Sequence, residues 1–376
     1  MDISSELIHS LLPIFMVTAL GASMLTVGII EGVAEATAAA TKVFSGALSD
    51  YVGKRKGLLV LGYALGALAK PLFPLAASVS WVFAARFIDR VGKGIRGAPR
   101  DALVAELTPQ PMRGAAYGMR QALDSVGALI GPLLAVALML WLANDIRSAM
   151  WFAVVPAFIT VGLLFVFVRE PERVHAVGPA RQRLRLADAR RLPLSYWLIV
   201  LLGAVFTLAR FSEAFLVLRA LDVGVALSWV PLVMTVMNLL YAGAAYPAGT
   251  AADRVSPRTL LLLGLVLLIA ADLLLAAAQS PTLVFAGAAL WGLHMALTQG
   301  LLAKLVADTA PADLLGTGFG IFNLVSGAAL LLASVIAGSL WSAFGASATF
   351  AAGAVFAAVA AIGLLAASAS RARTAA

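Results

Sequence analysis

The chain contains no cysteine, which excludes disulfides, thiolate metal sites and a cysteine nucleophile. Its imidazoles are His9, His175 and His294, too scattered to suggest a metal cluster, so no metal is expected. Charge is scarce as well, with 12% of residues Asp, Glu, Lys or Arg. A nucleotide-binding loop of P-loop spacing and a nucleophile elbow are both missing; neither an enzyme nor a cofactor is expected. The amino terminus has no basic region and no small-residue cleavage site, so no cleavable signal peptide is read there.

What fills the chain instead is apolar surface. At 62% hydrophobic residues over 376 positions and a mean hydropathy of +0.97, it exceeds what a soluble fold of this length could bury. It reads as an all-α integral membrane protein whose first partner is the lipid bilayer. The net charge of +8 would point to nucleic acid in a soluble domain. In a membrane protein it asks which loops carry the charge, and no nucleic-acid partner is expected.

A bilayer core about 30 Å thick needs roughly 20 apolar residues per helix. The hydrophobic runs parse into twelve spans, near 1–20, 24–48, 57–77, 81–105, 114–141, 149–168, 194–218, 228–250, 259–279, 282–307, 315–341 and 347–369. The polar, arginine-rich stretch 169–193 divides them into two sets of six, giving an amino-terminal bundle 1–168, a linker 169–193 and a carboxy-terminal bundle 194–376. Lys54, Arg55, Lys56, Arg113, the linker arginines, Arg254, Arg258, Arg371 and Arg373 fall in one set of alternate loops; the other holds little beyond Arg147 and Arg219. Basic loops are retained on the cytoplasmic side, so both termini and the linker are expected there, in a cell (inner) membrane. After Glu6 the first apolar run ends at Leu20, short for a crossing. The sequence reading therefore takes Met1 as an internal start and the first helix as truncated.

The two sets of spans are related by a repeat. Glu106-Leu-Thr-Pro-Gln-Pro-Met-Arg-Gly114-Ala-Ala-Tyr-Gly118 returns as Asp308-Thr-Ala-Pro-Ala-Asp-Leu-Leu-Gly316-Thr-Gly-Phe-Gly320, about 202 residues later. Gly46-Ala-Leu-Ser-Asp50-Tyr-Val-Gly53-Lys54-Arg55 returns as Gly249-Thr-Ala-Ala-Asp253-Arg254-Val-Ser-Pro-Arg258, and Ser5-Glu6 has a fainter echo in Ser212-Glu213. Duplication of a hydrophobic bundle marks secondary transporters, whose halves enclose a site near the bilayer midplane.

The loop Gly46-x-x-x-Asp50-x-x-Gly53-Lys54-Arg55 resembles the cytoplasmic loop signature of the major facilitator superfamily. Arg86 in span four resembles that superfamily's helix-four arginine, and Gly127-x-x-x-Gly131-Pro132 in span five resembles its antiporter motif, though Leu133, Leu134 and Ala135 follow where the family usually has further glycine. The resemblance covers essentially the whole chain. It implies two pseudo-symmetric six-helix bundles, and a latch on the inward-closed state built on Asp50 and, in the repeat, Asp253 with Arg254. Read from the residues alone, Gly127 and Gly131 let helix backbones approach and Pro132 permits a bend. The Asp50 loop can be a plain topogenic loop or a charge-assisted contact that forms in one conformation and releases in another.

Span four is the most charged. At 100° per residue Arg86, Asp89, Arg90, Lys93, Arg96 and Arg100 fall within about 120° of arc, a polar stripe about 21 Å long. Gly92, Gly94, Gly97 and Pro99 warn of a helix break there. Each such charge facing lipid at the bilayer centre costs at least about 2.5 kcal/mol, so the stripe must face protein or water. The expected partners are Glu31 and Glu35 on span two, Asp124 on span five and Glu6 on span one. The second half is drier, with Arg210 and Glu213 on span seven, Asp272 on span nine and His294 on span ten. Glu213 can be a pathway group or the partner of Arg210 on one helix; His294 can be a titrating group or a packing residue. The pathway residues are thus Glu6, Glu31, Glu35, Arg86, Asp89, Arg90, Asp124, Arg210, Glu213 and His294.

A carboxylate set between dehydration and a neighbouring arginine can exchange a proton for a substrate. The leading expectation is a monomeric, proton-coupled antiporter exporting a small-molecule substrate by alternating access, with protons as its second partner. The alternatives are uptake or exchange of an anionic substrate, and a non-transporting membrane receptor or scaffold on the same fold.

Overall fold

The computed structural model describes residues 1–52, 55–168, 186–311 and 314–374, all helix, turn or loop, with no strand among them. The described chain runs through α1 (Asp2–Thr18), α2 (Met24–Val52), α3 (Arg55–Ala69), α4 (Val79–Leu107), α5 (Arg113–Trp141), α6 (Ile146–Trp151), α7 (Val154–Phe167), α8 (Leu194–Leu208), α9 (Ala214–Asp222), α10 (Leu232–Arg254), α11 (Pro257–Ala277), α12 (Pro281–Thr309), α13 (Leu315–Phe344) and α14 (Ala346–Thr374). They divide into two compact units. One comprises Met1–Leu20 with Val33–Arg191; the other comprises Gly21–Gly32 with Leu192–Ala376.

Local chemistry explains where helices begin. Ser78 Oγ accepts from Trp81 N at the start of α4, and Ser256 Oγ accepts from Thr259 N at the start of α11, where Pro257 holds the first position. Asp145 caps α6 by accepting from the backbone of Arg147 and Ser148 and from the Ser148 hydroxyl. Those bonds favour its ionised form and hold its carboxyl below the usual carboxylate range.

Eight segments are long and apolar enough to cross a bilayer: Met24–Gly46, Ala116–Trp141, Ile146–Phe167, Leu227–Ala251, Pro257–Ala277, Pro281–Thr309, Leu315–Phe344 and Ala346–Leu365. Four of the expected spans do not qualify alone, each for its own reason. α1 has 17 residues and α3 has 15, while α4 carries the charged stripe. The span expected at 194–218 is broken: α8 ends at Leu208 and α9 begins at Ala214. At the break the backbone donors find side chains instead of carbonyls one turn back, with Ser212 N donating to Ser334 Oγ and Ala214 N to Ser212 Oγ. The opposite correction applies to α4, which runs unbroken through Gly92, Gly94, Gly97 and Pro99 to Leu107.

Small residues set the tightest helix contacts, as in many membrane bundles. A side chain at Gly62 of α3 would run into Gly92 O and Arg96 N of α4, and one at Gly92 into Gly62 O and Gly66 N. In the second unit, Gly28 and Gly32 on the first turns of α2 lie against Ser334 and Leu331 of α13, and Gly292 of α12 lies against Met237 O of α10.

Candidate functional site

In the first unit the α4 stripe turns inward. Arg86, Asp89, Arg90 and Arg96 are each 5% exposed or less, while Lys93 is exposed. At the centre Lys70 Nζ, from the 3-10 turn that follows α3, donates to Asp89 Oδ1 at 2.8 Å and to Ser5 Oγ of α1 at 3.0 Å. Arg90 is shared between two acids: its Nη1 lies 3.0 Å from Glu35 Oε1 on α2, and its Nε lies 3.8 Å from Asp89 Oδ2. Arg86 stands within electrostatic reach of both Asp89 and Glu35. A chain of ion pairs thus runs from Lys70 through Asp89 and Arg90 to Glu35, anchored on α2, on the turn after α3 and on α4, and touching α1 through Ser5.

Around this chain the other expected acids fall into place unevenly. Glu6 pairs with His9 of its own helix at 3.5 Å and lies within reach of Lys93 and Arg90. Asp124 meets Arg100 at 3.6 Å and Arg120 at 3.1 Å, and Arg120 also approaches Asp101 at 3.4 Å. Arg96 lies over the Tyr63 ring at 4.6 Å and 3.9 Å from Asp2 Oδ1. Glu31 is fully buried but belongs with the second unit.

The glycine motif of α5 has a definite structural use. A side chain at Gly131 would strike the Cβ of Glu6 and the backbone of Ile3 and Leu7, and one at Gly127 the Cβ of Asp2. Gly127 and Gly131 therefore let α5 press against α1 at the level of Glu6, and α5 continues through Pro132 as one helix. Of the loop signature, Gly53 and Lys54 and the side chains of Asp50 and Asp253 lie outside the described residues. Gly46 packs against Ala98 of α4, and buried Arg55 forms a 2.9 Å ion pair with Glu106 at the end of α4. Arg254 is exposed on the last turn of α10.

In the second unit, Arg210 and Glu213 sit half-buried in the break between α8 and α9, not one turn apart on a single helix. Both lie within electrostatic reach of Tyr241 on α10, whose hydroxyl donates to Gln299 Oε1 at 3.3 Å. His294 is buried, and its Nδ1 meets Gly264 O of α11 at 2.8 Å, a bond that fixes the ring.

Sequence reasoning missed Lys70, Arg120 and the Arg55–Glu106 pair. A lone lysine inside the apolar run 57–77 was the available signal for Lys70.

These features define a class. A plan of apolar helices written twice along one chain, with paired ionised groups sequestered in the first copy, is the pattern of a multi-pass membrane transporter. The sequence model of the Major Facilitator Superfamily matches residues 1–232 and 214–375. An uncharacterised MFS-type transporter of Methanocaldococcus jannaschii is 33% identical over 350 residues, covering 90% of this chain and 85% of that protein. A multidrug resistance protein MdtH of Edwardsiella ictaluri is 31% identical over 144 residues, 38% of this chain and 35% of that one. Among solved structures, a bacterial homologue of the human lysosomal transporter Spinster, inward-facing and unoccupied, superposes with a TM-score of 0.77 at 16% identity, covering 96% and 93% of the two chains. The chain belongs to the Major Facilitator Superfamily, and is a transporter, not an enzyme.

Proposed function

We propose that this transporter is a proton-coupled antiporter that exports a small organic molecule, with two six-helix halves, 1–168 and 194–376, joined by the linker 169–193. It acts as a monomer in the inner membrane with both termini cytoplasmic. The observation that carries the proton-coupled reading is Arg90 shared between Glu35 and Asp89. One guanidinium holding two carboxylates gives a competition that a single proton can tip: protonating Glu35 removes its attraction for Arg90 and leaves that cation to Asp89, or to a substrate group. Alternating access then exposes the rearranged network to one side of the membrane at a time. The export direction is supported by the partial match to a multidrug resistance protein and by the Gly127-x-x-x-Gly131-Pro132 motif.

One observation favours a second reading, exchange of an anionic substrate. Arg86, Arg90, Arg96 and Lys70 are all buried in the first unit with Asp89 as their one buried acid among its described residues, an excess that suits an anion's counter-charge. Inverted vesicles carrying the protein and an internal pH dye separate the two. After the lumen is acidified, a panel of lipophilic cations and neutral drugs should release protons from the vesicles in the antiporter. In the exchanger the dye stays silent and uptake of a labelled organic anion requires an anion inside.

A further inference from the structure

The sequence repeat at an offset of 202 places Asp272 of α11 where the first half has Lys70, and Trp291 of α12 where it has Asp89. In the first half these positions form a buried ion pair. In the second they do not. Asp272 is 0% exposed and Trp291 is 0% exposed, and both carboxylate oxygens of Asp272 and the indole Nε1 of Trp291 lack a hydrogen-bond partner among the described residues. The second unit therefore has an acid at the position of the first half's lysine and an indole at the position of its acid, with no counter-charge between them.

The surroundings decide what that acid can hold. A Cβ at Gly353 of α14 would lie 2.6 Å from Asp272 Oδ2 and 3.2 Å from the ring edge of Phe211, so no room exists there for a methyl group, still less for an organic cation. Phe211 packs in turn edge-to-face with Phe215 and Phe350 and tilted against Trp291. Several charged and titratable groups of the neighbouring elements are engaged elsewhere. His294 of α12 is turned to Gly264 O, and Tyr241 of α10 to Gln299. Arg219 of α9 is held by the carbonyls of Leu275 and Ala278 and by Asp222, and the described side chains of α14 include no ionisable group. Arg210 and Glu213 of the α8–α9 break lie within electrostatic reach of Tyr241. A buried acid with no cation or donor against it among the described residues, and no space for a methyl group beside it, satisfies its charge by a covalent proton.

We propose that Asp272 is a proton-binding site of the second half, loaded while it is packed against Gly353 and Phe211 and unloaded when the segment 209–213 moves Phe211 aside. Loading forms an O–H bond on one carboxylate oxygen with a proton taken from water and leaves the group uncharged; unloading returns that proton to water. Phe211 lies in the non-helical break, so a change in that break alters the wall of the Asp272 site directly. This deepens the proton-coupled reading and rests on it for its use in transport.

Infrared difference spectroscopy of the full chain in liposomes, taken between neutral and alkaline buffer and repeated in heavy water, tests the site without a substrate. The wild type should show the carbonyl band of a protonated carboxyl free of hydrogen bonds, shifting on deuteration. That band should vanish in Asp272→Asn, and Asp272→Glu should restore a displaced one. Gly353→Ala, which crowds the carboxyl, should move the band without removing it. A band that survives unchanged in Asp272→Asn, or a wild type without one, overturns the proposal. If the band behaves as stated while vesicles move no protons with any drug, the site stands and the coupled reading falls; if vesicles move protons and the band is missing, the reverse holds.

Discussion

Helices α4 and α12 are the same element of the repeat, both 29 residues long, and their corresponding faces have opposite chemistry. Arg86, Asp89, Arg90, Lys93, Arg96 and Arg100 of α4 correspond to Ala288, Trp291, Gly292, Met295, Thr298 and Leu302 of α12. The packing beneath is retained. Gly62 lies under Arg96 and its counterpart Gly264 lies under Thr298, so the two helix pairs meet at the same place with charged residues above one contact and apolar or neutral ones above the other. The α4 face carries ion pairs, while the corresponding α12 face carries no charge and packs against α11, which holds the buried acid Asp272. Helix geometry permits either, because close approach depends on the glycines and not on what the rest of the face carries.

The largest expected effect tests the charged half. Asp89→Leu strands Lys70 as an uncompensated buried cation and should lower stability by about 3–5 kcal/mol, seen as a lowered unfolding temperature in detergent. Adding Lys70→Met should recover most of that loss, since a buried pair exchanged for packed apolar groups is close to neutral. The second half should behave differently: Asp272→Leu, which removes an acid with no hydrogen-bond partner among the described residues, should be neutral or stabilising by about 1 kcal/mol in the same measurement. If Asp272→Leu is as damaging as Asp89→Leu, the two halves are not the contrast drawn above.

Next in size is the pair of glycines. Gly62→Ala meets backbone atoms of Gly92 and Arg96 and should cost about 1–3 kcal/mol. Gly264→Ala meets the Thr298 methyl, a side chain able to rotate, and should cost less on the same thermal assay. The smallest effect lies outside the membrane at the α6 cap. Asp145→Ala should cost about 1 kcal/mol. Because the folded carboxyl is held below its ordinary value, this cap contributes fully above about pH 4 and is lost as the pH falls through the folded value. The wild type and Asp145→Ala should therefore converge in acid and separate at neutral pH.

Much of this was legible before any coordinates. The 202-residue offset carried the duplicated plan, and the 100° spacing of charges on α4 foretold an inward polar face with Glu35 and Asp124 among its partners. Lys70 was not legible, because a single lysine in an apolar run has no periodicity. Its partner Asp89 stands 19 residues away, across a turn that only folding closes. The break at 209–213 was hidden for a related reason: hydropathy reads Phe211 as apolar and cannot see that Ser212 and Ser334 take up the backbone donors. The helix breakers of α4 misled in the other direction, since Gly92 and Gly94 are there to meet Gly62 O and Thr41, not to end the helix.

The central claim is that the first half's ion-pair chain couples protons to transport and does not merely hold helices together. The double variant Lys70→Met with Asp89→Leu separates these roles, because it should keep the fold while removing the Lys70–Asp89 pair and the second acid that shares Arg90. Proton release from acidified inverted vesicles on addition of the drug panel, compared between wild type and double variant at matched protein levels and matched unfolding temperatures, is the direct measurement. The account predicts release in the wild type and at least a tenfold loss in the double variant; equal release from both would contradict it.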